Sequence, residues 1–409
     1  MSEPESLINF WIARLRDHLR EEKYSRSVTY NYPNDARRFM RHLARRKQPL
    51  ESVSPADVDR YVSGLKRKRD RSTIPPVWRR AHRAAIQMLL RLVHGDWPPE
   101  VAPVGPDEIA EQELLRSYDA WMVELRGLSA STRERARHEA GLLLGWLRDR
   151  GRRLAALTIA DLDEYVASRC ATMRRNSKAT AISSLRGVLR YLHSSSLMPA
   201  DLADMVEGPP IYALEGIPSA VRRDDVDRAL EAVRRDHSPL GRRDYAILVL
   251  LSTYGMRAGE VAGLCLSDID WRHERLRVRH SKTGACSELP LLRAPADALL
   301  DYLKHARPET THREVFLRAQ APYRPLQRGG AIYSTVGRRL EAVGVTLTGK
   351  RGPHVFRHSR AVSLLDGGVP IKVIGDVLGH RSEMSTAVYL KLATADLRAV
   401  ALQAPGVSR

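Results

Sequence analysis

Three short clusters in the C-terminal half of the chain carry side chains that could act together on a negatively charged substrate. Arg257 lies two residues after a glycine, where the pattern predicts a helix start. His354 and Arg357 have the i, i+3 spacing that predicts one shared helical face, and His380 and Tyr389 form the third cluster. A guanidinium is a rigid fork of donors suited to a phosphodiester. A tyrosine hydroxyl, with a reference pKa of about 10, needs assistance to attack at neutral pH.

These clusters resemble the two conserved boxes of the tyrosine recombinase, or phage integrase, family. Ser281–Gly284 resembles the hairpin that carries the family's lysine, and residues 113–200 resemble its helical core-binding domain. The similarity spans nearly all of residues 221–395, and five separated motifs in the right order are far more specific than any one of them. The resemblance implies a site-specific DNA recombinase or integrase that cleaves and rejoins DNA through a 3′-phosphotyrosyl intermediate, for integration or transposition of a mobile element.

The resemblance also implies roles for individual residues. Arg257 and Arg357 clamp the phosphate, whose equatorial oxygens gain negative charge during attack. Tyr389 is the nucleophile, and His354 matches the position that assists it as a general base. The family needs no metal or other cofactor because arginines replace the usual divalent ion, so none is expected here.

Two further residues complete the implied catalytic set. Lys282 matches the mobile hairpin lysine that protonates the leaving 5′ oxygen, and His380 matches the residue that hydrogen-bonds the phosphate. Glu260 and Asp268 match acidic positions that we interpret as structural, the first orienting the arginine and the second the hairpin. These assignments follow from the resemblance and not from the spacing alone.

Each of these residues has an ordinary interpretation when taken alone. A single tyrosine is most often a half-buried packing residue, a single arginine a solvated charge, and a single lysine an ordinary turn residue. His354 and His358 have the spacing of a zinc pair, but the glutamate of H-E-x-x-H is missing and no third ligand stands at a convincing spacing. The joint pattern favours the recombinase interpretation.

The N-terminal half contains an internal repeat that predicts two helical units. Leu50–Val62 recurs as Leu154–Val166, 104 residues later, and such self-similarity marks a duplicated structural unit. In each copy a good N-cap residue, Ser54 or Thr158, precedes a short amphipathic segment. Longer segments with helical apolar spacing lie before and after it.

We therefore predict a mainly α-helical protein with a small β component, divided into three domains. Residues 1–97 form a helical core-binding-like unit, residues 113–203 a helical core-binding DNA-binding domain, and residues 221–409 a mixed α/β catalytic domain. Within the last domain, Leu276–His280 and Ser287–Leu291 flank a polar turn and predict a β-hairpin.

The net charge of +19 over 409 residues indicates a polyanionic partner. We expect double-stranded DNA, self-association into a synaptic tetramer on that DNA, and related recombinases as a further class of candidate partner. We expect the first helical unit to contact DNA; contact with a partner recombinase or a folding role are its alternatives. The sequence shows no disulfide framework, signal peptide or membrane-length apolar run, which predicts a cytoplasmic protein, nucleoid-associated when bound to DNA, without membrane contact.

Two other functions stay open on the sequence. A type IB topoisomerase-like enzyme would use the same chemistry without joining two DNA molecules. An architectural DNA-binding protein would carry a disabled catalytic domain. The complete set of predicted catalytic residues argues against the second alternative.

Overall fold

A computed structural model describes residues 3–65, 75–99, 105–212, 221–280, 284–326, 329–345 and 352–379, together with Thr386 and Tyr389. Contacts divide the chain into two compact units, one formed from residues 1–99 and 216–409 and the other from residues 100–215. The predicted fold class, mainly α-helical with a small β component, is confirmed. Within the described ranges, no helix combines the length and the apolar character that crossing a membrane requires.

In the first helical segment, the described residues 3–65 and 75–99 form four helices around one apolar core. They are α1 (Glu3–Glu21), α2 (Arg26–Arg45), α3 (Pro55–Ser63) and α4 (Pro76–His94). Phe39 and Leu43 of α2 pack with Leu89 of α4 inside this core. Helix α3 begins with a reciprocal capping box, in which Asp57 N donates to the Ser54 hydroxyl and Ser54 N donates to the Asp57 carboxylate.

The second compact unit repeats the same order of elements. Its helices are α5 (Pro106–Glu124), α6 (Ala130–Asp149), α7 (Ile159–Cys170) and α8 (Arg175–Ser194). Thr158 and Asp161 form the capping box of α7, as Ser54 and Asp57 do for α3. The predicted N-caps at Ser54 and Thr158 are therefore confirmed, and a separate apolar core lies among α5–α8.

The last segment, residues 221–379 with Thr386 and Tyr389, combines helices with a small sheet. Its helices are α9 (Arg223–Arg234), α10 (Pro239–Tyr254), α11 (Ala258–Ala262), α12 (Arg293–His305), α13 (Gly330–Glu341), α14 (His354–Asp366) and α15 (Ile371–Leu378). Its strands are β1 (Ile269–Asp270), β2 (Arg275–Arg279) and β3 (Cys286–Pro290). The largest apolar core of the described residues lies here.

The predicted hairpin is confirmed as the antiparallel pair β2–β3. Leu276 pairs with Leu289 and Val278 with Ser287, so Leu276 and Val278 face the core. Strand β1 adds a third, antiparallel strand at the other edge of β2, an element that the sequence analysis did not predict. The hairpin places His280 at the end of β2, beside the candidate site.

Helix α10 is the central element of this segment and fixes where the candidate site begins. Residues 246–251 of α10 are all apolar and buried, and the helix packs against α9, α12 and α14. It ends at Gly255, whose left-handed φ of 65° turns the chain sharply. A Cβ at this position would lie 2.7 Å from Leu378 of α15. Glycine therefore permits both the turn and the close approach of α15.

Candidate active site

Arg257 lies at the N-terminus of α11, where the sequence predicted a helix start. Its guanidinium donates from Nη1 to Glu260 Oε1 at 2.7 Å and from Nη2 to the Gly379 carbonyl at 3.2 Å. Its backbone N also donates to Glu260 Oε2 at 2.8 Å. Glu260 thus holds the guanidinium and closes the first turn of the helix, in agreement with its predicted orienting role.

Glu260 is a buried carboxylate shared between Arg257 and His280. His280 Nδ1 lies 2.8 Å from Glu260 Oε1, and His280 Nε2 lies 2.8 Å from the Ser287 hydroxyl on the opposite hairpin strand. Burial would raise the pKa of Glu260, but hydrogen bonds from His280 and from Arg257 outweigh it and hold that pKa below its usual value. The carboxylate is therefore ionised at neutral pH and can orient a cation.

The other predicted acidic position, Asp268, ties the hairpin to the preceding turn. Its Oδ1 accepts from Arg279 of β2 at 2.6 Å, and its Oδ2 accepts from the backbone N of Cys265 at 2.9 Å. Asp268 is almost fully buried. The expected structural role toward the hairpin agrees with these contacts.

Arg357 lies in the first turn of α14 and is buried. Its Nη1 donates to the Gly255 carbonyl at 2.9 Å, and its Nη2 donates to the Leu378 carbonyl. Burial lowers the pKa of Arg357 to about 10, and the charge of Arg257 acts in the same direction. Arg357 thus keeps its charge at neutral pH and fastens the end of α10 to the end of α15.

Tyr389 is buried, with an exposed fraction of 3%, among Ala361, Ile374 and Leu378. Its hydroxyl lies 3.0 Å from His358 Nδ1. Burial raises the pKa of the hydroxyl, while the charges of Arg357 and Arg257 oppose that rise. The structure therefore brings the predicted nucleophile and both predicted phosphate-binding arginines together.

His354 begins α14 and is exposed, whereas Arg357, one turn later, is buried. The His354 ring lies 6.5 Å from that of Tyr333 and 6.3 Å from that of His358, measured between centroids. The remaining predicted catalytic residues, Lys282 and His380, lie outside the described residues. In the parts of the chain that are described, no group of three or more His, Cys, Asp or Glu side chains gathers as metal ligands would.

Sequence reasoning missed the contact of His358 with Tyr389. The sequence analysis considered His358 only as half of a zinc pair with His354. The sequence did show that His358 directly follows Arg357 on a predicted helix. Its side chain therefore had to lie close to the arginine of the site. That Tyr389 is the partner of His358 depends on where the chain runs after α15, and the distance between the two residues in the sequence does not predict this.

Comparison with known proteins identifies the family. The family model described as the phage integrase family matches residues 220–396. A putative integrase/recombinase of Sinorhizobium fredii (strain NBRC 101917 / NGR234), y4rA, is 32% identical over 405 residues, 98% of this chain and 96% of the relative. Tyrosine recombinase XerC of Mycobacterium bovis (strain BCG / Pasteur 1173P2) is 30% identical over 304 residues, 71% of this chain and 97% of XerC. The chain belongs to the tyrosine recombinase family.

A solved structure of this family has the same fold. The XerH site-specific recombinase, in a post-cleavage complex with a palindromic difH substrate, matches 72% of this chain and 87% of the XerH chain. The TM-score is 0.56 and the sequence identity is 14%. As a tyrosine recombinase, the protein is an enzyme of site-specific DNA recombination. The assignment of individual residues to steps of that reaction is treated below.

Proposed function

We propose that this tyrosine recombinase cleaves double-stranded DNA with Tyr389 and rejoins it to a new partner strand. The observation that carries the proposal is the placement of the buried Tyr389 hydroxyl beside α14, 3.0 Å from His358 Nδ1, where the charges of Arg357 and Arg257 act to lower the pKa of the phenol. A phosphodiester beside this hydroxyl would meet two guanidiniums and one nucleophilic oxygen. Such preorganised donors stabilise the negative charge that develops on the equatorial phosphate oxygens during attack.

The reaction forms a bond between the Tyr389 oxygen and phosphorus and breaks the bond from phosphorus to the 5′ oxygen. Lys282 supplies the proton that the leaving oxygen takes up, and His354 assists removal of the phenol proton. His380 donates a hydrogen bond to the phosphate. The product is a 3′-phosphotyrosyl adduct, and attack by a 5′ hydroxyl of another strand reverses the step.

The proposed reaction is metal-independent. Arg257 and Arg357 supply the positive charge that a divalent cation provides in other phosphoryl-transfer enzymes. Glu260, which stays ionised, is committed to Arg257 and His280. A cation at this place would compete with the two guanidiniums for the same phosphate oxygens.

The proposed partners are double-stranded DNA and further copies of this chain. Exchange of strands between two sites requires cleavage of four strands, so a synaptic tetramer is the expected assembly. Movement of a mobile element, by integration or transposition, is the proposed setting. The match to y4rA, named as a putative integrase/recombinase, extends over 98% of this chain, whereas the match to XerC covers 71%. Full-length similarity thus favours the integrase setting over chromosome dimer resolution.

The first experiment identifies the DNA. Wild-type protein is incubated with a library of random-sequence duplexes, and covalent adducts are isolated after denaturation with SDS. Sequencing the attached DNA gives the preferred cleavage site, called the trapped duplex below. Two differently labelled copies of this duplex then test for joined products. Cleavage and religation without joined products would favour the topoisomerase-like alternative.

Tyr389→Phe tests the nucleophile. The variant is expected to bind the trapped duplex but to form no covalent adduct, because the substitution removes only the phenol oxygen. Binding is measured by gel mobility and the adduct by denaturing electrophoresis. Tyr245→Phe, which alters a half-buried tyrosine of α10, is the matched control and should form adduct at the wild-type rate. Undiminished adduct in Tyr389→Phe would show that another residue is the nucleophile.

A further inference from the structure

His358 forms a hydrogen bond with the Tyr389 hydroxyl, but the catalytic roles proposed above do not include it. Its Nδ1 lies 3.0 Å from the Tyr389 oxygen, and the two ring centroids are 5.5 Å apart at an interplanar angle of 57°. The tilt excludes a flat stack and is compatible with an in-plane lone pair that points at the hydroxyl. His358 lies on α14 next to Arg357, so one helix turn presents both groups to the same phenol.

The donor and acceptor roles follow from the chemistry of the two neighbours of Tyr389. A guanidinium can only donate hydrogen bonds, so the phenol oxygen can only accept from Arg357. A neutral imidazole nitrogen can accept the phenol proton. We assign His358 the neutral tautomer in which Nδ1 accepts from the Tyr389 hydroxyl.

Apolar packing and this hydrogen bond control different parts of the Tyr389 side chain. Ala361, Ile374 and Leu378 surround the ring and fix its place. Packing against these residues does not fix rotation about the bond from the ring to the oxygen. A hydrogen bond to His358 fixes that rotation, and with it the direction of the oxygen lone pairs.

We propose that His358 is the positioning residue of the tyrosine nucleophile: its Nδ1 holds the phenol proton so that a lone pair of the oxygen faces the phosphate. The proposal rests on Tyr389 being the nucleophile. It differs from the role of His354, which begins α14 one turn earlier and is exposed. His358 accepts the hydrogen bond of the phenol proton and sets the geometry before attack, whereas His354 assists when that proton leaves the phenol during attack. Small errors in the position of a reacting atom are costly, on the order of 10²-fold in rate for about 1 Å.

Three substitutions at His358 separate a hydrogen-bonding role from a packing role. Asparagine places its amide oxygen the same number of bonds from Cβ as Nδ1, whereas glutamine places its amide one carbon further out, nearer the position of Nε2. His358→Ala is expected to lower the single-turnover rate of adduct formation on the trapped duplex by about 10- to 100-fold. His358→Asn should restore that rate to within several-fold of wild type, and His358→Gln should not.

Controls make every result informative. All variants are compared by circular dichroism and by affinity for the trapped duplex, and His312→Asn, at a half-buried histidine outside the site, controls for the general effect of the change. A wild-type rate for His358→Ala would overturn the proposal, as would equal losses for the alanine, asparagine and glutamine variants. Tyr389→Phe distinguishes the two claims. If it still forms adduct, the nucleophile assignment has failed; if it does not, and His358→Ala reacts normally, only the role of His358 has failed.

Discussion

The two arginines of the site differ in what their guanidiniums hold. Arg357 is buried and donates to the carbonyls of Gly255 and Leu378, so it links two helix ends as well as facing Tyr389. Arg257 is one-fifth exposed and is held mainly by the Glu260 carboxylate. A guanidinium has five N–H donors and can hold the protein and a phosphate at once, but an ammonium has three and no planar fork.

Lysine substitution should therefore affect the two positions differently. Arg257→Lys and Arg357→Lys are both expected to lower adduct formation on the trapped duplex by about 10²- to 10³-fold, the usual cost of one lost charge-stabilising donor. Arg357→Lys should also lower the thermal midpoint more than Arg257→Lys does, because a buried carbonyl left without its donor costs about 1–3 kcal/mol, whereas a lysine at position 257 can still pair with Glu260.

Adduct assays and thermal melts of both variants measure these effects, with Arg228→Lys on α9 as an exposed control. Wild-type cleavage by either site variant would show that this arginine does not belong to the proposed phosphate clamp.

The adduct assay of the wild-type protein in excess EDTA should give unchanged cleavage. Strict dependence on a divalent ion would instead support metal-assisted chemistry.

At the scale of elements, Gly379 is where α15, the hairpin and α11 meet. It ends α15 with a left-handed φ of 63°, and its carbonyl accepts from Arg257. A Cβ at this position would lie 2.5 Å from Cε1 of His280, the histidine that binds Glu260. The missing side chain therefore lets the hairpin and the end of α15 approach the same carboxylate.

Gly379→Ala tests this arrangement against a matched glycine. Gly344 has a comparable φ of 74°, but a Cβ there would meet no atom within 4 Å. Both alanine variants incur the left-handed backbone cost of about 1–2 kcal/mol, so their difference isolates the contact with His280. Gly344→Ala should cleave the trapped duplex normally. Gly379→Ala should lose about 10²-fold, because the acceptor of Arg257 is displaced; equal rates for the two variants would contradict the arrangement.

The sequence predicted those helix starts and strands that depend on a few neighbouring residues. The capping boxes of α3 and α7 follow from Ser54 and Thr158, and the hairpin follows from alternating residues around a polar turn. Strand β1 escaped prediction because two residues carry no alternation and pair only when β2 is present. The contact of His358 with Tyr389 joins two elements far apart in sequence. No local pattern encodes it, and only the packing of α15 between them creates it.

At the scale of the whole molecule, the first helical segment carries a basic and aromatic surface suited to a nucleic acid. Arg16 and Arg20 of α1 lie beside Tyr24, Arg26 and Tyr30 around one shallow concavity. The segment has its own apolar core, yet it belongs to the same compact unit as the last segment, where Lys23 donates to the Glu309 carbonyl. Removing residues 1–105 is expected to leave a folded enzyme that binds DNA more weakly, but the deletion also uncovers the contact with the last segment.

Neutralising the basic surface is the cleaner experiment. The combined variant Arg16→Ala, Arg20→Ala, Arg26→Ala should reduce the slope of log affinity against log salt by up to about 3, since each neutralised phosphate contributes about 0.9. Salt titrations on the trapped duplex, extended by flanking DNA, measure the slope. Alanine at Arg228, Arg234 and Arg235, which pair with acidic residues of α9, is the matched control. Identical slopes for both triple variants would leave partner contact or structural support as the role of this segment.

The carbonyl of Gly379 links the Arg257 guanidinium to the chain that leads to Tyr389. One side of this peptide unit is hydrogen-bonded to Arg257 on α11, and the other is covalently bonded to His380, the start of the chain that leads to Tyr389. A displacement of the chain at Gly379 therefore moves an acceptor of the Arg257 guanidinium, so the position of the backbone that leads to Tyr389 and the orientation of a phosphate-binding arginine are mechanically coupled.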